Sequence, residues 1–131
     1  MCSESVLLAL GDWLEAKSEL IPKVATGFGA GICFHGLVCG AISGGIMALS
    51  VKFGRSDAKE QKVDLYRLGH RLVEGFEKEF GSVMCRELTE CSFHTEAGRK
   101  EYADKKLWET KCREYIAGAT AIVFDLIAEK S

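Results

Sequence analysis

Residues 31–50 read GICFHGLVCGAISGGIMALS, twenty positions with no fixed charge, five glycines and two cysteines. The charge-free run is longer still, from Val24 to Val51, and that length alone would permit a membrane span. Its composition points elsewhere. Seven glycines, a histidine, a threonine and two serines make it far less apolar than a leucine-rich span, and no second such segment is there to pair with it. From Cys39 the residues Cys39, Ile42, Ile46, Leu49 and Phe53 step by three and four, while Gly40, Ala41, Ser43, Gly44, Gly45 and Ala48 keep the rest of the surface small. The segment therefore reads as a central helix buried in protein, with a face that a neighbouring backbone can approach closely. A nucleotide loop is excluded, because GFGAG is not GxGxxG and no GK[ST] occurs.

Working outward, Gly54 ends that helix. Ser56 or Asp57 would cap a third one, which turns Val63, Leu65, Leu68, Leu72, Val73 and Phe76 inward and is closed by Gly81. Ser82 to Glu90 reads as a short helix capped by Ser82, and residues 91–106, CSFHTEAGRKEYADKK, as an exposed polar excursion. The last helix carries Trp108, Cys112, Tyr115, Ala119, Ile122 and Leu126 at alternating spacings of four and three. Upstream, Val6, Leu7, Leu10, Trp13 and Leu14 define a first amphipathic helix from Cys2 to about Lys17, and PKVATGFGAG is a buried loop or broken helix. No alternating β pattern appears. The expected fold is all-α: one domain over residues 1–131, a compact bundle of four main helices plus a short helix, with a buried Gly-rich loop before the second helix.

With 17 basic and 19 acidic residues the net charge is -2, which offers no field for nucleic acid or an anionic membrane surface. The opening residues carry Glu4, Asp12 and Glu15 and no basic leader, so the expected location is cytoplasmic, where thiols stay reduced. Six cysteines in 131 residues then call for another explanation than permanent disulfides. Cys2, Cys39, Cys85 and Cys112 each fall at or near the start of a predicted helix, where free N–H groups and the helix dipole favour a thiolate. Cys2, Cys39 and Cys112 also lie on apolar stripes, so their sulfurs point inward. Cys33 and Cys91 read as buried hydrophobes. The gaps of 37, 46 and 27 residues match no compact zinc-ribbon or ferredoxin pattern, and a metal cluster, structural zinc and reversible disulfides all stay open.

His35, between Cys33 and Cys39, is expected to be satisfied by a backbone carbonyl rather than to bind iron, and His70 and His94 to be exposed. Trp13, Trp108 and Tyr115 are expected in the core. Glu77 with Glu79, and Glu87 with Glu90, sit among basic residues on solvent-facing helix surfaces and are assigned no catalytic role.

The segment CGAISGG at Cys39 resembles the CGAxxG signature of a family of small redox-active proteins marked by four cysteines. CSESVL at Cys2 is similar to that family's opening segment, ATGFGAGI to its Gly-rich approach, and FGSVMCREL and KCREYI to its last two cysteine segments. The resemblance places Cys2, Cys39, Cys85 and Cys112 on the four family positions. It implies a redox role, with an iron–sulfur cluster held by those four residues and an unidentified redox partner. The family includes the split-Soret cytochromes, but no CxxCH occurs here, so no covalent haem is expected. The resemblance, with the small face of the second helix, also implies a homodimer. The alternatives are a metal-free thiol–disulfide oxidoreductase or regulator using the same cysteines, and a helical module with inert thiols.

Overall fold

The computed structural model describes residues 1–130 and is all-α, with one isolated antiparallel bridge between Val38 and Met84. Helix α1 spans Cys2–Trp13, a 3₁₀ turn spans Lys23–Phe28, α2 spans Gly40–Phe53 and α3 Val63–Phe80. The short α4 covers Cys85–Thr89 and α5 Glu96–Asp104, and a π turn at Trp108–Cys112 leads into α6 at Arg113–Lys130. The four long helices expected from the apolar periodicity are α1, α2, α3 and α6.

Helix α2 lies at the centre, packed on α1, α3 and α6. The absence of charge up to Val51 follows from that position, because an ionised side chain there would be stranded away from water, and Lys52 comes only in the exposed last turn. The small residues after Cys39 set the distance to α1. A methyl group added at Gly40 would stand 3.0 Å from the Ser3 nitrogen and 3.2 Å from the Cys2 Cβ, and one at Gly44 would stand 2.5 Å from the Ser3 carbonyl oxygen. Ser3 itself is fully buried, and its hydroxyl donates to the Ala25 carbonyl at 2.7 Å, tying α1 to the 3₁₀ turn. The small face of α2 is thus occupied inside the chain rather than offered to a second copy. Leu7, Leu10, Leu49, Leu68, Leu72, Phe76 and Val123 fill the core around it.

Several local expectations change, each for a physical reason. Helix α1 stops at Trp13, because Glu15 turns left-handed (φ +57°) and the Ala16 N–H returns to the Gly11 carbonyl, a Schellman-type close. Asp57 does not cap α3. Its carboxylate accepts the Lys59 N–H in a local turn, and α3 begins only at Val63, which is exposed. Ser82 does not cap α4, which starts after Met84, the residue bridged to Val38. The polar stretch read as an excursion contains a capped helix. The Thr95 hydroxyl accepts the Gly98 N–H at 2.9 Å, and Lys100 with Asp104 and Glu101 with Lys105 pair along α5 at i, i+4.

The Gly-rich approach to α2 is not a buried loop. Only Ala25 of the 3₁₀ turn is buried, and past the buried Gly29 and Gly31 the chain surfaces at residues 32–35. Trp13 is not core either: it is 43% exposed and lies against Phe124 with ring centroids 4.4 Å apart. No described helix is long and apolar enough to cross a membrane.

Two glycine substitutions should shift stability in opposite directions. Gly44→Ala forces a methyl into the Ser3 carbonyl and should cost about 1–3 kcal/mol, as overpacking does. Gly75→Ala places its methyl 3.7 Å from Ile122, an ordinary contact, and should gain about 0.5–1 kcal/mol through helix propensity. Denaturant unfolding of the two variants measures both.

Candidate four-cysteine site

The bridge at Val38 and Met84 builds the site. The Cys39 N–H donates to the Val83 carbonyl at 2.8 Å, and the Cys85 N–H donates to the Leu37 carbonyl at 2.6 Å. Two segments far apart in sequence are thereby joined, with Cys39 capping α2 and Cys85 opening α4. Cys2 joins them because α1 crosses α2 at Gly40. Cys112 arrives at the end of the π turn, a feature that recurs at functional sites. All four side chains are buried, and all four line one cavity of about 300 Å³.

Phe34, Leu88, Phe93, Tyr102, Trp108 and Tyr115 also line the cavity and make its walls largely apolar. Among the described residues no aspartate, glutamate or histidine lines it, and Arg99 is the one charged side chain on the wall, its guanidinium donating to the Phe93 carbonyl at 2.7 Å. Gly31 is required at the back. It has φ +67°, and a methyl there would stand 2.8 Å from the Cys85 Cβ.

The sulfurs have unequal surroundings. Cys2 and Cys112 share the cavity wall, and the Tyr102 hydroxyl lies 3.2 Å from the Cys112 sulfur. The neighbouring Cys2 pulls the Cys112 thiol down to about 7 against the cost of burial, with Tyr102 and Lys111 acting in the same direction. Cys2 is pushed up by Cys112 and by its own burial. Burial pushes Cys39 up to about 11, although the Ala41 and Ile42 N–H groups at the start of α2 pull against it. Burial and then the charges of Cys39 and Cys112 push Cys85 up to about 12. Burial likewise keeps the Tyr102 hydroxyl protonated. A helix start therefore does not by itself produce a thiolate here, because the same fold that supplies the N–H groups also removes the water. The cavity suits thiolates once a cation in it offsets their charge.

The four sequence-derived residues are thus brought together around one space, and the other candidates are not. Cys33, expected to be buried, is exposed; its left-handed backbone (φ +49°) carries it to the surface, where its thiol donates to the Gly27 carbonyl at 3.2 Å. Cys91 is buried as expected but does not line the cavity. His35 is exposed, with Nδ1 3.2 and 3.1 Å from the Ile32 and Cys33 carbonyls, and its ring meets that of His94. His70 pairs with Glu74, and Glu77, Glu79, Glu87 and Glu90 are exposed. Tyr115 is in the core as expected, with its hydroxyl on the Leu88 carbonyl at 3.0 Å. Tyr102 and Arg99 were not legible in the sequence as part of a site, since α5 has no apolar stripe to orient it. The only signals for α5 were Thr95 at its start and the i, i+4 charges.

All six cysteines are free, and no described group of three or more His, Cys, Asp or Glu side chains is placed to hold a single metal ion. The sulfurs surround a space instead of meeting at a point.

In metal-free protein carrying Cys33→Ser, Cys112 should be the first cavity thiol alkylated as pH rises through about 7, as mass mapping of the labelled peptides will show. Folding stability should fall as pH rises above about 9, because Cys39 and Cys85 ionise there in the unfolded chain but only near 11 and 12 in the folded one. Their contribution is complete below the unfolded pKa and lost through the folded values, so Cys39→Ser or Cys85→Ser should flatten that decline in unfolding curves taken from pH 8 to 12.

The model of the family described as "Putative redox-active protein (C_GCAxxG_C_C)" matches residues 1–126. No curated protein and no solved structure matches the chain.

Proposed function

The chain belongs to the C_GCAxxG_C_C family of redox-active proteins, and from that premise we propose that Cys2, Cys39, Cys85 and Cys112 hold an iron–sulfur cluster used in electron transfer or redox sensing. The observation that carries this reading is the convergence of four buried cysteines, from four separate elements, on one cavity. The donor set is right for the group. Thiolates are the usual ligands of such clusters, and a bound cluster supplies one-electron chemistry. The arrangement also favours an occupant of several atoms. Structural zinc needs its ligand sulfurs within about 2.3 Å of one point, whereas these sulfurs line the walls of a cavity of about 300 Å³.

The surroundings support the same assignment. The N–H groups at the start of α2 and the Tyr102 hydroxyl present positive dipoles toward a site that would hold net negative charge. Phe34, Phe93 and Trp108 limit water at the sulfurs, which protects the ligands from exchange and lowers the local dielectric. The test is anaerobic purification, with the visible spectrum, iron, zinc and acid-labile sulfide measured per chain. Iron with matching sulfide, lost in Cys39→Ser and in Cys112→Ser, is the expected result. Full iron and sulfide in either variant would remove that residue from the ligand set, and zinc without sulfide would overturn the cluster.

A second reading has its own observation, the Cys112 thiol pulled down beside the buried Cys2 on the same cavity wall. In metal-free protein the Cys112 thiolate would attack a disulfide of a partner, releasing one partner thiol and forming a mixed disulfide. The Cys2 sulfur would then displace the second partner thiol and leave a Cys2–Cys112 disulfide. A loss of two hydrogens in mass, mapped to the peptides carrying Cys2 and Cys112 after treatment with oxidised glutathione, supports this reading. Unchanged mass rejects it.

A further inference from the structure

Two tyrosines line the four-cysteine cavity, and their hydroxyls have different partners. The Tyr115 hydroxyl donates to the Leu88 carbonyl at 3.0 Å, a bond that ties α6 to α4 and is complete without any ligand. The Tyr102 hydroxyl lies 3.2 Å from the Cys112 sulfur. Tyr102 is half-buried on α5 and is steadied by its ring contact with Phe93, 5.2 Å between centroids, which in turn meets Phe34 across the cavity mouth. Helix α5 is held at its start by the Thr95 cap and by Arg99 on the Phe93 carbonyl. This otherwise polar helix thus delivers one polar atom to the cavity sulfurs.

We propose that Tyr102 is a positioning residue of the cysteine site, whose hydroxyl hydrogen-bonds the Cys112 sulfur and raises the reduction potential of the cluster bound there. The inference rests on the cluster reading above. Reduction adds one electron to the site, with no bond made or broken in the protein, and the added negative charge is shared with the ligand sulfurs. A hydroxyl donating to one of those sulfurs stabilises the reduced state more than the oxidised one, which is the general effect of hydrogen bonds on ligating atoms. Phenylalanine removes the donor while keeping the ring that packs on Phe93. Tyr115→Phe is the matched control, since it removes a hydroxyl from the same cavity wall without touching a sulfur.

The experiment is a redox titration of anaerobically reconstituted wild type, Tyr102→Phe and Tyr115→Phe, after iron, sulfide and the visible spectrum have been measured for each. The expected result is full cluster content in all three and a more negative potential in Tyr102→Phe alone. The shift should approach a tenfold change in the reduction equilibrium constant, about 59 mV for a one-electron couple. In wild type and Tyr115→Phe the iron–sulfur stretching bands should shift on transfer to D₂O, and that shift should shrink in Tyr102→Phe. Equal potentials in wild type and Tyr102→Phe at full cluster content overturn the role of Tyr102 and leave the cluster standing. Equal shifts in both variants overturn it as well, because a general change in the cavity wall would then explain them. Absence of iron and sulfide from the wild type overturns the cluster reading and this proposal with it.

Discussion

The close crossing of α1 over α2 is the contact on which the rest of the molecule depends. Gly40 and Gly44 let the backbone of Ser3 lie against α2 with no side chain between them, and the Ser3 hydroxyl then reaches the Ala25 carbonyl. Close backbone approach of this kind gains dispersion contacts along the whole crossing and leaves no void. It also fixes chemistry. Cys2 is next to Ser3 and Cys39 next to Gly40, so the distance between two of the four sulfurs is set by the absence of side chains at two glycines. Structure and site therefore cannot be altered independently at this crossing.

A second constraint comes from the chain between the 3₁₀ turn and Cys39. Ala30, Gly31, Ile32, Cys33 and Phe34 are all left-handed, with φ from +49° to +67°, and for the four that are not glycine this costs roughly 1–2 kcal/mol each. The Cys33, Gly36 and Leu37 N–H groups hold the segment by donating to the Gly27, Ala30 and Gly31 carbonyls. The distortion brings Phe34 to the cavity wall and turns the chain so that Leu37 can accept from Cys85. Strain of this kind persists where surrounding contacts over-determine the backbone, and here those contacts are the bridge that pairs Cys39 with Cys85.

The site also shows how burial and helix starts compete. Dipoles and N–H groups at a helix start favour thiolates, yet Cys39 and Cys85 are pushed up because water is excluded from them. The opposing effects leave Cys112 as the cavity thiol that is pulled down, by Cys2 first and then by Tyr102 and Lys111. Thiolates on all four sulfurs together would need positive charge among them to offset their mutual repulsion.

Periodicity alone marked the helices that form the bundle and turned three of the four cysteines, Cys2, Cys39 and Cys112, inward. Apolar residues at three- and four-residue spacing mark a buried stripe wherever they occur, and a charge-free run rich in small residues has few places to go in a folded chain except its centre. The sequence also made the family resemblance legible, because Cys39 and the glycines after it stand within one or two turns of each other. Local spacing could not reveal what depends on distant partners. Helix α5 lacks an apolar stripe, so its existence rested on the Thr95 cap and on ion pairs, and the approach of Tyr102 to Cys112 depended on how that helix docks. Cys33 and Trp13 looked internal in the sequence but lie at the surface, one on a left-handed turn and the other at the exposed edge of the α1–α6 contact. Only the tertiary structure decided that four sulfurs from α1, α2, α4 and the π turn share one cavity. Residues 27 to 46 positions apart along the chain can meet only through the packing of whole helices, and no local pattern records that.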